Sequence, residues 1–445
     1  MNQDAIYDAR QLGVPKMLLL GLQHMFAMFG ATILVPAITG LSISATLLFA
    51  GLGTLLFHLI TGRKVPAFLG SSFAFLGAYG LVTASGAEIP LTYSSFGVAC
   101  AGLLYLVLAL LFKVFGAQKV MRFFPPIVTG PVIIAIGLTL SQSAIDNCGN
   151  NWWVALVAIL VVIIFNIWGK GMLKIIPILL GVVASYVFSM IVDAPTRATL
   201  VENVSQAAWI GLPVKWENTA LSIFGNGFDG GMLVTAVITI MPIALATMVE
   251  HIGDICAISS TVGKNFVSDP GLHRTLTGDG LATAIAALFG APANTTYGEN
   301  TGVLALSKVY DPRVIRLAAV FAVILSFCPK FAAIIGAMPA ATIGGVSLVL
   351  YGMISAVGVR NVVENQVDFT KSRNVLIAAL ILVLSIGIKY SSAGAISFHI
   401  ASFTISLSGL AVGAIVGILM NAVLPGKDYE FKKDDEGATS VNFEV

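Results

Sequence analysis

Between Arg122 and Lys170 the chain carries one charged side chain, Asp146, and nearly everything else there is apolar or small. Runs of this kind recur from end to end, and they limit the possible fold more than any other feature. A hydrocarbon layer about 30 Å thick offers no water to the backbone, so each run must satisfy its amides as a helix of roughly 20 residues. Only 10% of the 445 residues are charged, against about 25% in a soluble domain. The sequence is therefore that of an all-α polytopic membrane protein. Its first residues, MNQDAIYDARQLGVPK, lack the apolar core and cleavage site of a leader, so none is expected.

Fourteen spans are expected, near 15–38, 43–61, 66–84, 91–112, 123–144, 152–168, 174–193, 231–256, 275–290, 292–307, 313–337, 339–359, 373–390 and 402–424. The basic residues test this assignment independently. With the N-terminus in the cytoplasm, twenty Lys and Arg lie inside and only Arg197, Lys215, Lys330 and Lys389 lie outside. That asymmetry orients membrane proteins, and it places both termini in the cytoplasm. The longest loop is extracytoplasmic and separates seven spans from seven.

Three landmarks of the first half return in the second. Gln23-His24 is answered by Glu250-His251, PAFLGSSF from Pro66 by PANTTYGE from Pro292, and Gly130-Pro131-Val132 by Gly344-Gly345-Val346. Their order and spacing point to an internal repeat. Because each half has an odd number of spans, the halves insert in opposite orientations. Such inverted repeats mark secondary transporters, whose substrate sites sit at mid-membrane where helices are interrupted.

Apart from Asp193, the last residue of the seventh span, only Glu250, Asp254, Asp279 and Glu299 of the 22 acidic residues fall in or at the edge of a span, with no Lys or Arg deep in a span to neutralise them. An uncompensated acid at mid-membrane costs roughly 2.5–3.5 kcal/mol, so such residues are candidate functional groups facing the protein interior. Glu250 and Asp254 are four residues apart and share one face of the eighth span. Glu299 lies in NTTYGENTG, residues 294–302. That segment and PAFLGSSFAF both start from proline and carry glycine and hydroxyl residues, a pattern for extended backbone ahead of a half-helix. Free backbone N–H groups are then expected near Phe73 and Gly298, where a carbonyl oxygen or an anion could be bound. A small planar ring bearing both N–H and C=O matches a set of carboxylates and free amides. Two glutamates facing one dry site repel if both are ionised, so one is expected to hold a proton in part of a transport cycle, the pair titrating as a unit.

The remaining reactive residues are read more simply. His24, in the first span, is placed to hydrogen-bond an acid of the site. His251 points about 100° away from Glu250 around the helix and reads as a packing histidine. His58, His273 and His399 read as structural or solvated. Cys100, Cys148, Cys256 and Cys328 form no CxxC pair and read as small apolar fillers. No metal-ligand, nucleotide or nucleophile motif is present, so no metal, cofactor or enzymatic chemistry is expected. The net charge of +2 gives no reason to expect nucleic acid as a partner.

GSSFAF (70–75), EH (250–251), DPGLHR (269–274) and NTTYGENTG together resemble the nucleobase–ascorbate transporter family, in particular its uracil permeases. The resemblance runs from LQHMFAMFGATILVP (22–36) through GGVSLVLYGM (344–353) to the last span. It implies a core domain (1–114 and 231–337), a gate domain (115–195 and 338–425), an outer loop (196–230), a cytoplasmic tail (426–445) and short crossing strands in spans 3 and 10. It also implies a homodimer in the cell membrane that imports uracil with a proton by alternating access. Residue by residue, it implies that Glu250 binds the ring edge and that Glu299 binds the ring and couples to the proton. The backbone amides of Phe73 and Gly298 would meet the two carbonyls, Ala31 and Tyr297 would wall the pocket, and His24 would stand beside Glu299.

Two departures from that pattern leave alternatives open. Asp254 stands where uracil permeases carry histidine, so the proton route is also expected to involve Asp254. Asp254 and Asp279 resemble the aspartates of xanthine and urate carriers, whose tenth-span residue is however glutamine where this chain has Glu299. A purine permease of the same family is thus the nearest alternative. An anion channel or exchanger of similar architecture is a more distant one, opposed by two glutamates aimed at the site.

Overall fold

The computed structural model describes residues 5–80, 88–225, 227–400 and 403–427; within these, the side chains of residue Glu299 and of positions 399, 400 and 403–405 lie outside the described set. Four helices fill the first part of the chain: α1 (Val14–Thr39), α2 (Ile43–Ile60), α3 (Leu91–Phe115) and α4 (Pro126–Gly149). Then come α5 (Trp152–Trp168), α6 (Pro177–Val192), α7 (Ala194–Gln206), α8 (Gly230–Ile240), α9 (Ala244–Val262), α10 (Leu272–Leu288) and α11 (Gly298–Ser307). The last five are α12 (Pro312–Ser326), α13 (Pro329–Gly336), α14 (Ala340–Glu364), α15 (Ser372–Lys389) and α16 (Gly409–Val423). Four short strands interrupt this series: β1 (Leu69–Ser71), β2 (Asn294–Thr296), β3 (Ala395–Ile400) and β4 (Phe403–Ser408).

Local chemistry explains where the helices start. Side chains of Ser42, Asn151, Asp229, Asp311 and Ser408 each accept a backbone N–H of the turn they open, and Pro177, Pro312 and Pro329 occupy first-turn positions where a missing N–H costs nothing. Seven described helical stretches are long and apolar enough to cross a membrane, or nine if two bent pairs, α6–α7 at 112° and α12–α13 at 87°, each count once. The other expected spans fall on the shorter helices α5, α10 and α16 and on the two segments broken by β1 and β2.

One expectation needs correcting. The last span was expected from residue 402, but helix begins only at Gly409, because residues 395–400 and 403–408 form the hairpin β3–β4. The alternation of β-branched and aromatic residues with Ser in AISFHI and FTISLS has a period of two, which suits a strand. The outer loop also holds a helix, α7, with Pro195 in its first turn and Thr196, Leu200 and Val204 turned inward.

The helices pack as two groups. In one, α10 lies on α3 and α2, and α12 lies on α2 and α1; in the other, α14 lies on α4 and α5, α15 on α4 and α16, and α5 on α6. The α3–α10 contact is backbone against backbone: a Cβ on Gly280 would stand 2.6 Å from the carbonyl oxygen of Gly102. Fewer contacts join the groups, through α4 and α16 against α9, α6 and α14 against α1, and β4 against α8. On one face the N-terminal segment straps down the loop after α11. Ile6 donates to the Lys308 carbonyl at 2.9 Å and accepts from Tyr310 N at 2.8 Å, while Asp8 meets Arg313 at 2.7 Å.

Candidate functional site

Both broken segments become one strand each, and the strands pair with each other. β1 and β2 run antiparallel, with Leu69 opposite Thr296, Gly70 opposite Thr295 and Ser71 opposite Asn294. Flanking bonds extend the ladder, from Ser72 N to Ala293 O at 2.8 Å and from Tyr297 N to Phe68 O at 3.1 Å. Irregular backbone is tolerated at membrane depth only where the protein satisfies it, and here side chains of two helices do so, while a strand side chain ties β1 to a third. Thr54 of α2 accepts from Leu69 N at 2.9 Å, Ser71 donates to Thr32 O of α1 at 3.0 Å, and Thr283 of α10 donates to Asn294 O at 2.8 Å. The Asn294 amide returns to Phe49 O of α2 at 3.0 Å.

Tyr297 closes the far side of the ladder. Its hydroxyl donates to Ser71 O at 2.9 Å, and its ring lies so close over Gly70 that a Cβ there would sit 2.5 Å from it. The next residue, Gly298, opens α11. Among the described residues no side chain caps this helix, and a Cβ built on Gly298 would meet nothing within 4 Å. An uncapped helix N-terminus facing open space is a ready hydrogen-bond donor with a favourable dipole. Phe73, on the β1 side, is buried, and the described residues after it form a 3-10 turn at Leu76–Ala78 that ends at the extended Tyr79.

The acidic stripe of α9 faces this junction. Glu250 and Asp254 are both half-buried, and Asp254 Oδ2 accepts a 2.7 Å bond from Thr296 Oγ1, tying the stripe to β2. α9 and α1 both pack on α11. Glu299 occupies the first turn of α11, immediately after Gly298, with its side chain outside the described residues. Ala31 is fully buried in α1 and offers no open surface here.

His24 is fully buried one element away. The side-chain amide of Asn300 donates to the His24 carbonyl at 3.0 Å and lies 3.1 Å from its Nδ1. A carbonyl only accepts, so the group facing His24 is the NH2 of Asn300; Nδ1 then accepts as well, and the ring proton sits on Nε2. Among the described residues that Nε2 has no partner. Asn300 was inside the quoted motif but carried no expected role.

Two further groups were not foreseen. Tyr351 of α14 sets its ring edge-on to Phe73, at 5.7 Å and 74°, bringing the second helix group against the site. Its only sequence signal was a lone tyrosine in GGVSLVLYGM. Asp279 does not join the β1–β2 junction; it is fully buried on α10, with Oδ2 2.8 Å from Nδ1 of His251. His251 therefore does more than pack.

Comparison with known proteins gives the same picture. Residues 15–394 match the family model described as "Permease family", that of the xanthine and uracil permeases. The chain is 41% identical over 438 residues to the uracil permease of Bacillus caldolyticus, covering 96% of each chain. It is 38% identical to that of Bacillus subtilis (91% of each) and 35% identical to that of Escherichia coli K12 (91% of this chain, 90% of the relative). Among solved structures, the transmembrane domain of the cyanobacterial bicarbonate transporter BicA aligns over 94% of this chain and 99% of its own, at a TM-score of 0.55 and 15% identity. SLC26A9 aligns over 94% of this chain and 66% of its own, at 0.60 and 14%. At such low identity these two report a shared fold alone. The permease relatives carry more: this multi-pass membrane chain belongs to the nucleobase–ascorbate transporter family of permeases.

Proposed function

We propose that the protein imports uracil together with a proton, as a secondary symporter in the cell membrane. The observation that carries this reading is the β1–β2 junction, which brings the open, uncapped N-terminus of α11 to the acidic stripe of α9. Donors and carboxylate acceptors thus meet at one place in the fold. Uracil is a small ring with two N–H and two C=O groups, and it can answer both kinds. In this reading Glu250 accepts from the ring edge, the amides of Phe73 and Gly298 donate to the carbonyls, and Tyr297 walls the site. Glu299, with His24 and Asp254 near it, takes and releases the coupled proton. Cytosine would present an amine to a donor, at about 1–3 kcal/mol per unmatched buried group.

The three relatives compared above are named uracil permeases, which favours a pyrimidine over xanthine or urate. Asp254 and Asp279, which prompted the purine reading, are engaged by Thr296 and His251. Transport in this scheme moves a core domain (1–114, 231–337) against a gate domain (115–195, 338–425), with fourteen segments, both termini cytoplasmic and two copies per assembly. The test is radiolabelled uracil uptake into proteoliposomes under an inward proton gradient, challenged with unlabelled uracil, xanthine, thymine and cytosine. Accumulation blocked by uracil and abolished by a protonophore is expected. Uptake indifferent to the gradient, or blocked by xanthine more strongly than by uracil, would refute it.

A further inference from the structure

Residues four apart on α9 form two polar stripes. Glu250 and Asp254 make the first, turned toward β2. Thr247 and His251 make the second, fully buried and turned into the helix group. Two neighbouring helices grip that second stripe. Tyr105 of α3 donates its hydroxyl to Thr247 Oγ1 at 2.6 Å, and Asp279 of α10 stands 2.8 Å from His251. Phe57 of α2 stands edge-on to the His251 ring, 6.4 Å away. The gripping helices cannot shift separately, because α3 and α10 meet backbone to backbone at Gly102 and Gly280. α9 is thus held at two points one turn apart, on the face that uracil does not meet.

We propose that Asp279, His251 and Tyr105 are positioning residues that form a sealed polar clasp, fixing the rotation of α9 and hence the direction in which Glu250 presents its carboxylate. The proposal rests on the reading of Glu250 as the acceptor for the uracil ring edge. Helix geometry gives it force: residues 250 and 251 are about 100° apart, so a helix free to roll by that angle would carry Glu250 off the site. Both partners of the His–Asp pair are fully buried, and Asp279 Oδ1 and His251 Nε2 have no hydrogen-bond partner among the described residues. The titratable groups around the pair are Tyr105 on α3 and Glu250 and Asp254 on the other stripe of α9. The clasp lies on the face of α9 turned away from β2 and closed off by α3 and α10, so it sets affinity and not proton coupling.

The experiment compares uracil affinity of the purified full-length protein with the pH profile of uptake in proteoliposomes. Asp279→Asn keeps volume but loses the charge; it should raise the Kd by about tenfold or more while leaving the shape of the pH profile unchanged. Tyr105→Phe, which removes one hydroxyl, should raise the Kd roughly two- to fivefold with the same profile. Exchanging the partners, as His251→Asp with Asp279→His, should recover most of the affinity lost by Asp279→Asn, and this variant decides the matter if Asp279→Asn fails to fold. Unchanged affinity in both single variants would overturn the clasp. So would a pH profile that collapses in Asp279→Asn, because the pair would then belong to the coupling path. A wild type that binds uracil beside indifferent variants refutes the clasp alone, whereas a wild type that binds no uracil removes the site reading and the clasp together.

Discussion

The chain places two histidines at matching positions in its two halves and gives them opposite partners. His24, after Gln23 on α1, is held by the neutral amide of Asn300, whereas His251, after Glu250 on α9, stands against the carboxylate of Asp279. The first histidine is thus set among neutral partners, Gln23 before it in the chain and Asn300 against it, where the second has Glu250 and Asp279. An amide that also bonds the His24 carbonyl locks one tautomer of that ring and brings no charge. The Asp279 carboxylate, 2.8 Å from His251 in a fully buried setting, makes that pair expensive to break. The comparison teaches that charge is concentrated on one side of the junction. A site for a neutral ring and a proton needs acids, but it cannot hold them on both sides without repulsion in a dry interior.

Four predictions would break or sharpen this contrast. Asp279→Ala should have the largest effect, about 3–5 kcal/mol of stability, since it strands His251 in the interior; a thermal midpoint equal to that of Asn300→Ala would erase the distinction. Glu250→Ala should weaken uracil binding about 100-fold, from the loss of charge-assisted bonds worth about 1.5–3 kcal/mol each. Gln23→Ala, at the matching position, should change binding only severalfold, and equal losses would mean that the halves contribute alike. Asn300→Ala should cost about 1–3 kcal/mol of stability by leaving the His24 carbonyl and Nδ1 without their donor. Weaker pH dependence of uptake in that variant would additionally tie the His24 tautomer to coupling.

The smallest effect is expected in the N-terminal strap. Hydrogen bonds from Arg10 hold the exposed Asp8 carboxyl well below the ordinary aspartate range, with the Arg10 and Arg313 charges adding to this. A depressed folded-state value means that the contribution is complete above the ordinary aspartate value and fades as the pH drops toward the lowered one. Asp8→Ala should therefore speed hydrogen exchange at the Ile6 and Tyr310 amides at pH 7, leaving the uracil Kd as it was. Exchange rates identical to wild type would show that the backbone bonds to residues 308–310 hold the strap unaided.

What could be read in the sequence was what depends on local pattern. The apolar runs, the two broken segments and the acids stranded among them all follow from spacing and residue type, and β1 and β2 fall within the segments expected to be extended. The family followed from the same motifs. What could not be read depends on helix rotation and on partners far along the chain. Nothing near His251 announces Asp279, and nothing near Tyr105 announces Thr247, because each contact is decided by how three helices roll against one another. Tyr351 hid in an apolar run, where an aromatic residue is ordinarily core. Strand β4 fell inside the expected last span because its alternating residues are apolar enough to read as membrane.

The most direct test of the central claim, that acids of the second half join a neutral ring to a proton, is charge movement on a uracil jump. Proteoliposomes on a solid-supported membrane, with wild type and Glu299→Gln side by side, would measure it. The account predicts a uracil-evoked inward positive current in the wild type that grows as the outer pH falls. It also predicts none in Glu299→Gln, despite residual uracil binding. Equal currents in both proteins, or wild-type uracil uptake with no charge moved, would contradict it.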